Sequence, residues 1–386
     1  ENVKAVAAGI YHSLRLMEDG SLWSTGYNYH GQLGDGTFFR DRSTPIMIES
    51  GGVSSIAAHG YFSLYLKEDG SLWGMGYNGH GELGDGTTTN RHSPVKVMDA
   101  NVTAVAAGHD HSLFLKVDGT LWAMGWNGWG QLGDGTTTTR HSPVQVASNV
   151  VRIAAGDYHS LYEKVDGTLW ATGRNNIGAL GDGSPIRQAS PFESVDANVT
   201  KVSAGTWHSL FLKDNGSLWA MGYNYSSQLG DGTTARRSSP VSIADANVTS
   251  IEAGGWHSLF LKNDGSLWAM GLNDKGQLGD GTAIDKNASV QVLDANVTAI
   301  SAGSEHSLFL KKDGSLWGMG HNGSGRLGTG SNENHLSPVQ IHSSSVVSIS
   351  AGWEHSFFIK SDGSLWTMGR NGFGQLGNGS TSSITT

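Results

Sequence analysis

The stretch NVTAVAAGHDHSLFLKVDGTLWAMGWNGWGQLGDGTTTTRHSPVQVAS, residues 101–148, recurs with variations eight times along a chain of 386 residues. The tryptophan of its Leu-Trp pair marks each copy, and consecutive marker tryptophans are 48 to 50 residues apart. The markers are Trp23, Trp73, Trp122, Trp170, Trp219, Trp268, Trp317 and Trp366. A fixed period of this length indicates stacked supersecondary units, each of which needs a neighbour to bury its apolar face.

Each copy contains four short segments with the composition of β-strands. In the third copy these are residues 102–107, 111–116, 120–125 and 142–146, which are mostly apolar and rich in β-branched or aromatic side chains. The second and third segments are separated by Asp118-Gly119, a tight-turn signal, because glycine accepts a positive φ without steric cost. The pattern predicts an all-β protein: a β-propeller built from four-stranded antiparallel blades.

The repeat predicts one closed ring, and therefore a single domain over residues 1–386. The approximate repeat boundaries are 1–50, 51–99, 100–148, 149–196, 197–245, 246–294, 295–343 and 344–386. Eight near-equal copies favour eight blades, and the alternative is a seven-bladed ring with the last copy displaced. Copy eight stops at Thr386, just before its fourth segment would begin. We therefore expect its outer strand to be missing or supplied in another way.

Composition disfavours several classes of function. A net charge of −9 and a pI of about 5.9 argue against nucleic-acid binding, which needs a basic face. No apolar run approaches the roughly 20 residues that span a bilayer, so membrane insertion is not expected. Cysteine is absent, which excludes disulfide and thiolate chemistry. We expect no cofactor and a monomeric chain.

One motif recurs through the chain: AG-x-x-HS-L-x-L-K-x-DG-x-LW-x-x-G-x-N-x-x-GQLG-DGT. It resembles the repeat of the regulator of chromosome condensation family, and the resemblance covers essentially the whole chain. The resemblance implies a propeller, usually of seven blades, whereas eight copies are present here. The uniform copies are most similar to bacterial tandem-repeat members, one of which is a secreted inhibitor of β-lactamases. This resemblance favours a secreted or cell-surface protein, although localisation itself stays undetermined.

Two functions known in that family are disfavoured by the sequence. Nucleotide exchange on a small GTPase is not expected, because the insertion that the family's exchange factor uses is absent. Photoreception is also not expected. The segment 352–356 is similar to the tryptophan motif of the plant UV-B receptor, but Glu354 stands where that motif has arginine, and the motif is not repeated intact.

The polar residues that repeat in nearly every copy have structural explanations. Equivalent positions in different blades lie too far apart to meet at one metal ion, whose ligands converge within about 2 Å. We expect each repeated histidine to hydrogen-bond the turn of its own blade. One aspartate per loop is too few ligands for calcium, so the repeated aspartate is expected to cap its loop. These positions hold His12, His111, His159, His208, His257, His306 and His355, and Asp35, Asp85, Asp134, Asp182, Asp231 and Asp280.

The residues that vary between copies fall in two loop sets, and antiparallel strands would place both sets on one face. The first set is the A-G-x-x-H turn, and the second is the long loop after the Leu-Trp segment. All five tryptophans outside the marker set lie there, with eight of the ten tyrosines. Variable loops on a rigid scaffold usually carry specificity, and Tyr and Trp dominate binding hot spots.

The candidate binding residues are the aromatic, histidine and arginine side chains of these loops. We expect a partner to centre on the first three blades and to extend toward Trp207 and Trp256. The candidates are Tyr11, Tyr27, Tyr29, His30, Phe38, Phe39, Arg40, Tyr61, Tyr77, His80, Trp126, Trp129, Tyr158, Trp207, Tyr223, Tyr225, Trp256 and Trp353. The same loops vary at charged positions, among them His109, Asp110 and Arg174. In copy two, His59 replaces a turn glycine and Phe62 replaces the repeated histidine, which we interpret as drift.

The leading functional hypothesis is a non-enzymatic binding propeller that recognises a protein through this aromatic loop face. The first alternative is a glycan-binding propeller, because sugar rings stack on the same aromatic side chains. The second is a polysaccharide-active enzyme with Tyr, His, Arg and Glu near the central opening. No pattern of nucleophile, base and orienting group supports an enzyme, so no catalytic residue is assigned.

Overall fold

The structure is a closed ring of eight antiparallel sheets, described here from a computed structural model for residues 2–195 and 197–386. Within each sheet the strands follow in chain order. First strands of neighbouring blades contact one another around the axis, including those of blades one and eight. The eight-bladed prediction is confirmed and the seven-bladed alternative is wrong. The described residues contain no helix that is long and apolar enough to cross a membrane.

The strand boundaries agree closely with the segments read from the sequence. The first strands, at the axis, are β1 (Val3–Ala8), β5 (Val53–His59), β9 (Val102–Ala107), β13 (Val150–Ala155), β17 (Val199–Ala204), β21 (Val248–Ala253), β25 (Val297–Ala302) and β29 (Val346–Ala351). The second strands are β2 (His12–Met17), β6 (Phe62–Lys67), β10 (His111–Lys116), β14 (His159–Lys164), β18 (His208–Lys213), β22 (His257–Lys262), β26 (His306–Lys311) and β30 (His355–Lys360).

The outer half of each blade is built from the third and fourth strands. The third strands are β3 (Leu22–Gly26), β7 (Leu72–Gly76), β11 (Leu121–Gly125), β15 (Leu169–Gly173), β19 (Leu218–Gly222), β23 (Leu267–Gly271), β27 (Leu316–Gly320) and β31 (Leu365–Gly369). The fourth strands are β4 (Arg42–Glu49), β8 (Arg91–Met98), β12 (Arg140–Ala147), β16 (Gln188–Val195), β20 (Arg237–Ala244), β24 (Lys286–Leu293) and β28 (His335–His342). Pro143 lies within the outer strand β12, and proline in a sheet is largely confined to edge strands because it has no backbone N–H to donate to a ladder.

The marker tryptophans help to join neighbouring blades. Trp122 is half-buried, stacks on Phe114 at 6.2 Å between ring centroids, and packs against the apolar cluster between blades two and three. Its Nε1 donates to Thr120 Oγ1 at 2.9 Å, and Lys116 Nζ lies 4.8 Å above the ring. The tryptophan of the Leu-Trp pair therefore packs between blades and stays partly exposed.

The repeated histidines bond to the next blade, so the expectation of a bond to their own turn is wrong. His12 Nε2 lies 2.8 Å from Ser63 Oγ, and the same contact occurs at 2.8–3.0 Å in six of the seven copies with the histidine. Ser63 Oγ donates its own proton to the carbonyl of Gln32 at 3.0 Å. His12 Nε2 must therefore carry the ring proton. The ring still lies against its own turn, where a Cβ on Gly9 would overlap it.

The repeated aspartates organise the long loops, as expected. Asp134 Oδ1 accepts hydrogen bonds from Asn127 Nδ2 at 3.0 Å, from Thr136 N at 3.0 Å and from Thr136 Oγ1 at 2.8 Å. Asp134 Oδ2 forms an ion pair with Arg140 on the outer strand. Burial alone would raise the pKa of Asp134, but these hydrogen bonds and Arg140 hold it below its usual value. Each loop is thus held rigidly on the blade that carries it.

Blade eight has three strands and the beginning of a fourth. Ile384 exchanges backbone hydrogen bonds with Gly369 at 3.0 and 3.1 Å, where the outer strand begins in the other blades. The seam to blade one is polar: Ser13 Oγ donates to the carbonyl of Gln375 at 2.9 Å, and Arg15 Nη2 donates to that of Leu376 at 2.8 Å. In the described ranges, seven apolar clusters each join one blade to the next, and none joins blade eight to blade one.

Candidate functional site

A cavity of about 860 Å³ opens at the ring axis, on the face that carries both variable loop sets. Its floor is formed by the small residues that end the first strands, such as Ala155 and Ala204. Its wall carries larger side chains from the A-G-x-x-H turns and the long loops, including Tyr11, Trp126 and Trp207. Variable loops of several blades therefore share one concave surface, which is called the central cavity below.

Aromatic and histidine rings form a continuous row beside the central cavity. Consecutive rings in this row are 5.0–6.4 Å apart between centroids. This aromatic belt consists, in order of contact, of Phe373, Tyr11, Tyr27, Tyr61, His30, Tyr77, His80, Trp126, Tyr158 and Trp207. It runs from blade eight through blades one to five. Every member except Phe373 is among the candidate binding residues predicted from the sequence.

Arg174 contacts three aromatic rings at one end of the belt. Its guanidinium lies 4.2 Å from the Trp207 ring centroid, 5.1 Å from that of Trp129 and 5.8 Å from that of Tyr158. Arg174 Nε also donates to Asn176 Oδ1 at 2.7 Å. Stacked guanidinium and indole planes make a rigid surface, because the cation is attracted to the electron-rich ring faces. This corner of the cavity is preorganised.

The remaining candidates lie outside the belt. Tyr29 lies at the outer edge of the belt, where it contacts Tyr27 and Phe39. The Tyr29 side chain is 50% exposed. Phe38 and Arg40 flank Phe39 in the same loop, with Phe38 against His92. Three further candidates form a second cluster on blades five and six: Tyr223, Tyr225 and Trp256. Trp353 lines the central cavity on the blade-eight side and is exposed.

Charged groups face the central cavity from blades two to four. His109 Nδ1 lies 2.9 Å from Asp110 Oδ2, and His59 Nε2 lies 3.8 Å from Asp157 Oδ1. Burial raises the pKa of Asp157 to about 6, whereas burial lowers that of His59 to about 4. Burial opposes ionisation of Asp110, but His109 holds the pKa of Asp110 below its usual value. The cavity thus presents two carboxyl groups whose proton affinities differ.

His59, His109, Asp110, Asp157 and Arg174 are cavity residues that the candidate set omits. Four of them are visible as charged variation in the loops. His59 has a second signal in the sequence, because copy two changes both the turn glycine and the repeated histidine; from the sequence alone this change is attributed to drift. In the other copies a Cβ at the glycine would meet that histidine ring, whereas in copy two the residue paired with His59 is Phe62, which is buried in the apolar cluster between blades two and three. Within residues 2–195 and 197–386, no group of three His, Cys, Asp or Glu residues could hold a metal ion.

The fold and the cavity define a β-propeller with a recessed, aromatic loop face. The family model of the RCC1-like domain matches residues 1–195 and 148–386, which together span the chain. The chain therefore belongs to the RCC1-like domain family. A search of curated protein sequences gives no match.

Solved structures of that family have the same fold. Human WBSCR16 is 24% identical, with a TM-score of 0.66 over 81% of this chain and 87% of its own. Prp20p from Saccharomyces cerevisiae is 23% identical, with a TM-score of 0.65 over 80% of this chain and 82% of its own. Yeast RCC1 (Prp20) in its complex with Kap60 is 22% identical, with a TM-score of 0.65 over 81% of each chain. At these identities the likeness concerns the fold alone.

Proposed function

We propose that this chain is a non-enzymatic binding propeller that recognises a protein partner through the face bearing the central cavity. The observation that carries the proposal is the aromatic belt, which is continuous over six blades and borders a cavity large enough for several side chains. Aromatic rings held in place by their neighbours offer a large contact area and lose little entropy on binding. Hot spots of protein interfaces are enriched in such residues and in arginine.

Exposed residues at the edges of the aromatic belt support the proposal that the belt contacts a partner and does not only pack one loop against another. Tyr29 and Phe39 are 50% and 69% exposed, and Tyr225 and Trp353 are also exposed. Exposed aromatic side chains gathered on one face usually mark an interaction site. Structures of Prp20p support protein binding as the class of function, because that protein binds Gsp1p and histones and is also solved with Kap60.

A second candidate is glycan binding, favoured by the charged part of the central cavity. Asp110 and Asp157 provide hydrogen-bond acceptors beside the rings of Tyr158 and Trp207 and the guanidinium of Arg174. A sugar can stack its ring on aromatic side chains and donate hydrogen bonds from its hydroxyl groups to carboxylates. A polysaccharide-active enzyme would use the same two carboxyl groups as acid and base. This third hypothesis has no further observation in its favour.

The test immobilises three forms of the protein on an affinity support and compares the proteins that each form retains. The first is the wild type, and the second combines Tyr29→Ala, Trp126→Ala and Trp129→Ala on the proposed face. The third combines Val117→Ser and Val165→Ser, exposed residues in turns of the opposite face. Proteins retained by the wild type should be lost from the triple variant and kept by the opposite-face variant. The bound protein is then titrated against all three, and we expect the triple variant to weaken binding at least a hundredfold.

Thermal melts accompany the titrations. The triple variant should melt within a few degrees of the wild type, since its three side chains are half-buried or exposed in loops. The single change Tyr29→Ala keeps the test decisive if the triple variant melts early. A glycan array probed with the same forms separates the second candidate. A partner lost from the opposite-face variant instead would contradict the proposed face.

A further inference from the structure

Arg174 is a basic residue of the central cavity without an acidic partner in the part of the chain that the structure describes. It directly follows β15, and its backbone N–H donates to the carbonyl of Tyr158 at 2.9 Å. None of the ion pairs among the described residues includes its guanidinium. Burial lowers the pKa of this guanidinium, because no carboxylate beside it offsets the loss of water.

The same repeat position is paired with an acid in blades seven and eight. Arg370 N donates to the carbonyl of Glu354 at 3.0 Å, and the two side chains form an ion pair. His321 is placed in the same way, with Nδ1 2.9 Å from Glu305 Oε2. In blade four the residue opposite the arginine is Tyr158, so the partner that the fold supplies elsewhere is missing.

The Arg174 guanidinium is held so that its terminal N–H groups stay available. It lies over the rings of Trp207 and Trp129, and its Nε donates to Asn176. In the described ranges no hydrogen bond involves Nη1 or Nη2. A guanidinium presents its N–H groups as a planar fork, which matches the two oxygens of a carboxylate.

The two carboxylates of the central cavity do not compensate Arg174. His109 Nδ1 lies 2.9 Å from Asp110 Oδ2, and His59 Nε2 lies 3.8 Å from Asp157 Oδ1. Each acid thus forms its ion pair with a histidine. The guanidinium is left for a carboxylate that comes from outside the chain.

Two exposed arginines, in the loops of blades four and five, are bonded to the surroundings of this guanidinium. Arg236 Nη1 donates at 2.7 Å to the carbonyl of Asn176, whose side chain accepts from the cavity arginine. Arg187 Nη1 donates at 3.0 Å to the carbonyl of Gly128, which directly precedes Trp129. Neither arginine takes part in an ion pair of the described residues. This corner of the face is therefore basic, although the chain carries a net charge of −9.

We infer that Arg174 binds the carboxylate of an Asp or Glu side chain, carried by an acidic segment of the partner protein. The inference rests on the proposed function and names the chemistry of the segment that enters the central cavity. Arg187 and Arg236 attract further acidic residues of that segment, because opposite charges on two surfaces favour their association.

The floor of the cavity favours a side-chain carboxylate over the carboxylate at a chain end. Recognition of a C-terminal carboxylate typically uses several free backbone N–H groups. The glycine N–H groups at this floor donate instead to histidine carbonyls of their own turns, at 3.0 Å for Gly156 and 2.9 Å for Gly205. The floor therefore has few free donors for a chain end.

The test starts from a phage-displayed library of random peptides of about 12 residues, which have no free C terminus, selected on the immobilised wild type. Enriched sequences should share an Asp or Glu and should not bind the triple variant described above. One such peptide, amidated at its end, is then compared with a form in which the shared acid is replaced by its amide. The wild type should bind the acidic form about 10- to 100-fold more tightly.

Variants at Arg174 locate the carboxylate. Arg174→Gln should bind the acidic and amide peptides within about twofold of each other, and Arg174→Lys should lose most of the preference, because an ammonium group has no planar fork. Arg370→Gln is the matched control and should keep the full preference, since Arg370 is paired with Glu354. A ratio of two affinities is unchanged by a uniform loss of binding, and thermal melts identify any variant that unfolds.

Three outcomes overturn the inference and leave the proposed function standing. They are a library that yields no binder with a shared acid, an Arg174→Gln variant that keeps the wild-type preference, and a loss of preference in Arg370→Gln instead. On a glycan array, uronic-acid sugars retained by the wild type and lost by Arg174→Gln, with no acidic peptide bound, would assign the carboxylate to a sugar and also overturn it. Acidic peptides that bind the triple variant as tightly as the wild type would contradict the proposed function itself.

Discussion

At the residue scale, six of the seven histidines that begin second strands are buried hydrogen-bond donors between blades. Burial lowers the pKa to about 3 for His12, His111 and His208, and to about 4 for His159, His257 and His355. These rings are therefore neutral in the folded protein at neutral pH. A protonated ring would carry an uncompensated charge in an apolar interface, which is costly.

The shared depression of these pKa values predicts loss of stability in mild acid. The unfolded chain binds protons at histidine below about pH 6.5, whereas the folded chain does so only near pH 3–4. Unfolding therefore takes up protons in this window, and stability falls as pH falls through it. We expect each buried histidine to lower the free energy of unfolding by about 1 kcal/mol between pH 7 and pH 5.5. Urea titrations at a series of pH values measure this slope.

A single substitution isolates the contribution of one ring. His208→Gln should reduce the pH slope by about 1.4 kcal/mol per pH unit below pH 6, the equivalent of one proton. It should also cost about 1 kcal/mol at pH 7 for the lost bond to Ser258. His141 is exposed on an outer strand, so His141→Gln serves as the control and should leave the slope unchanged. Equal slopes for wild type and His208→Gln would contradict the assignment of neutral buried rings.

At the element scale, the fourth strand decides how much the marker tryptophan of a blade contributes to stability. Trp122 lies on Phe114 with β12 alongside, whereas Trp366 lies on Phe358 with an open outer side. Both donate through Nε1 to a turn hydroxyl, at 2.9 Å for Trp122 and 3.3 Å for Trp366. The two tryptophans make the same kinds of contact within their own blades, but only Trp122 has a fourth strand alongside it.

This difference predicts unequal costs for the same substitution. Trp122→Ala should lower the free energy of unfolding by about 2–3 kcal/mol, below the value for a fully buried tryptophan because one edge of the indole is open. Trp366→Ala should lower it by under about 1 kcal/mol, since less apolar surface is buried there. Urea titration of both variants at pH 7 gives the comparison. A cost for Trp366→Ala equal to that for Trp122→Ala would mean that β31 is covered in solution.

At the scale of the whole molecule, the ring closes through one interface that differs from the other seven. Elsewhere an aromatic residue on the second strand packs near a residue of the third strand that is usually methionine, as Phe114 and Met124 do. Blade one has Arg15 and Thr25 at these positions, and both donate to carbonyls of blade eight. Arg15 is buried, with 8% of its surface exposed. The seam depends on polar contacts where the other interfaces depend on apolar ones.

Restoring the common pair should therefore strengthen the seam. Arg15→Phe combined with Thr25→Met should raise the free energy of unfolding by about 1–2 kcal/mol, because well-packed apolar residues often stabilise more than a buried charge. The reciprocal change at another interface, Phe114→Arg with Met124→Thr, should cost more than about 3 kcal/mol. Thermal melts and urea titrations measure both. A double variant at the seam that is less stable than the wild type would show that Arg15 holds the ring closed.

The sequence by itself determined the blade and the number of blades. Each third strand is bounded by a turn that needs glycine and by a loop that uses Asn and, in six of the eight copies, Asp, as Gly119, Asn127 and Asp134 show. These requirements are local, so they can be recognised in the sequence of a single copy. The face on which the variable loops lie followed from strand direction alone. Eight blades followed from eight near-equal copies, although the interface that closes the ring is polar.

Only the tertiary structure decided which residues meet across blades. The bond from His12 to Ser63 joins positions 51 residues apart, and no spacing rule within one copy indicates it. The charged wall of the central cavity arises because A-G-x-x-H turns from different blades converge at the axis, which brings His59 to Asp157. The polar seam at Arg15 likewise depends on which blade lies next to blade one. A repeat specifies its own blade through local turns and alternation, whereas contacts between blades depend on ring geometry that no single copy contains.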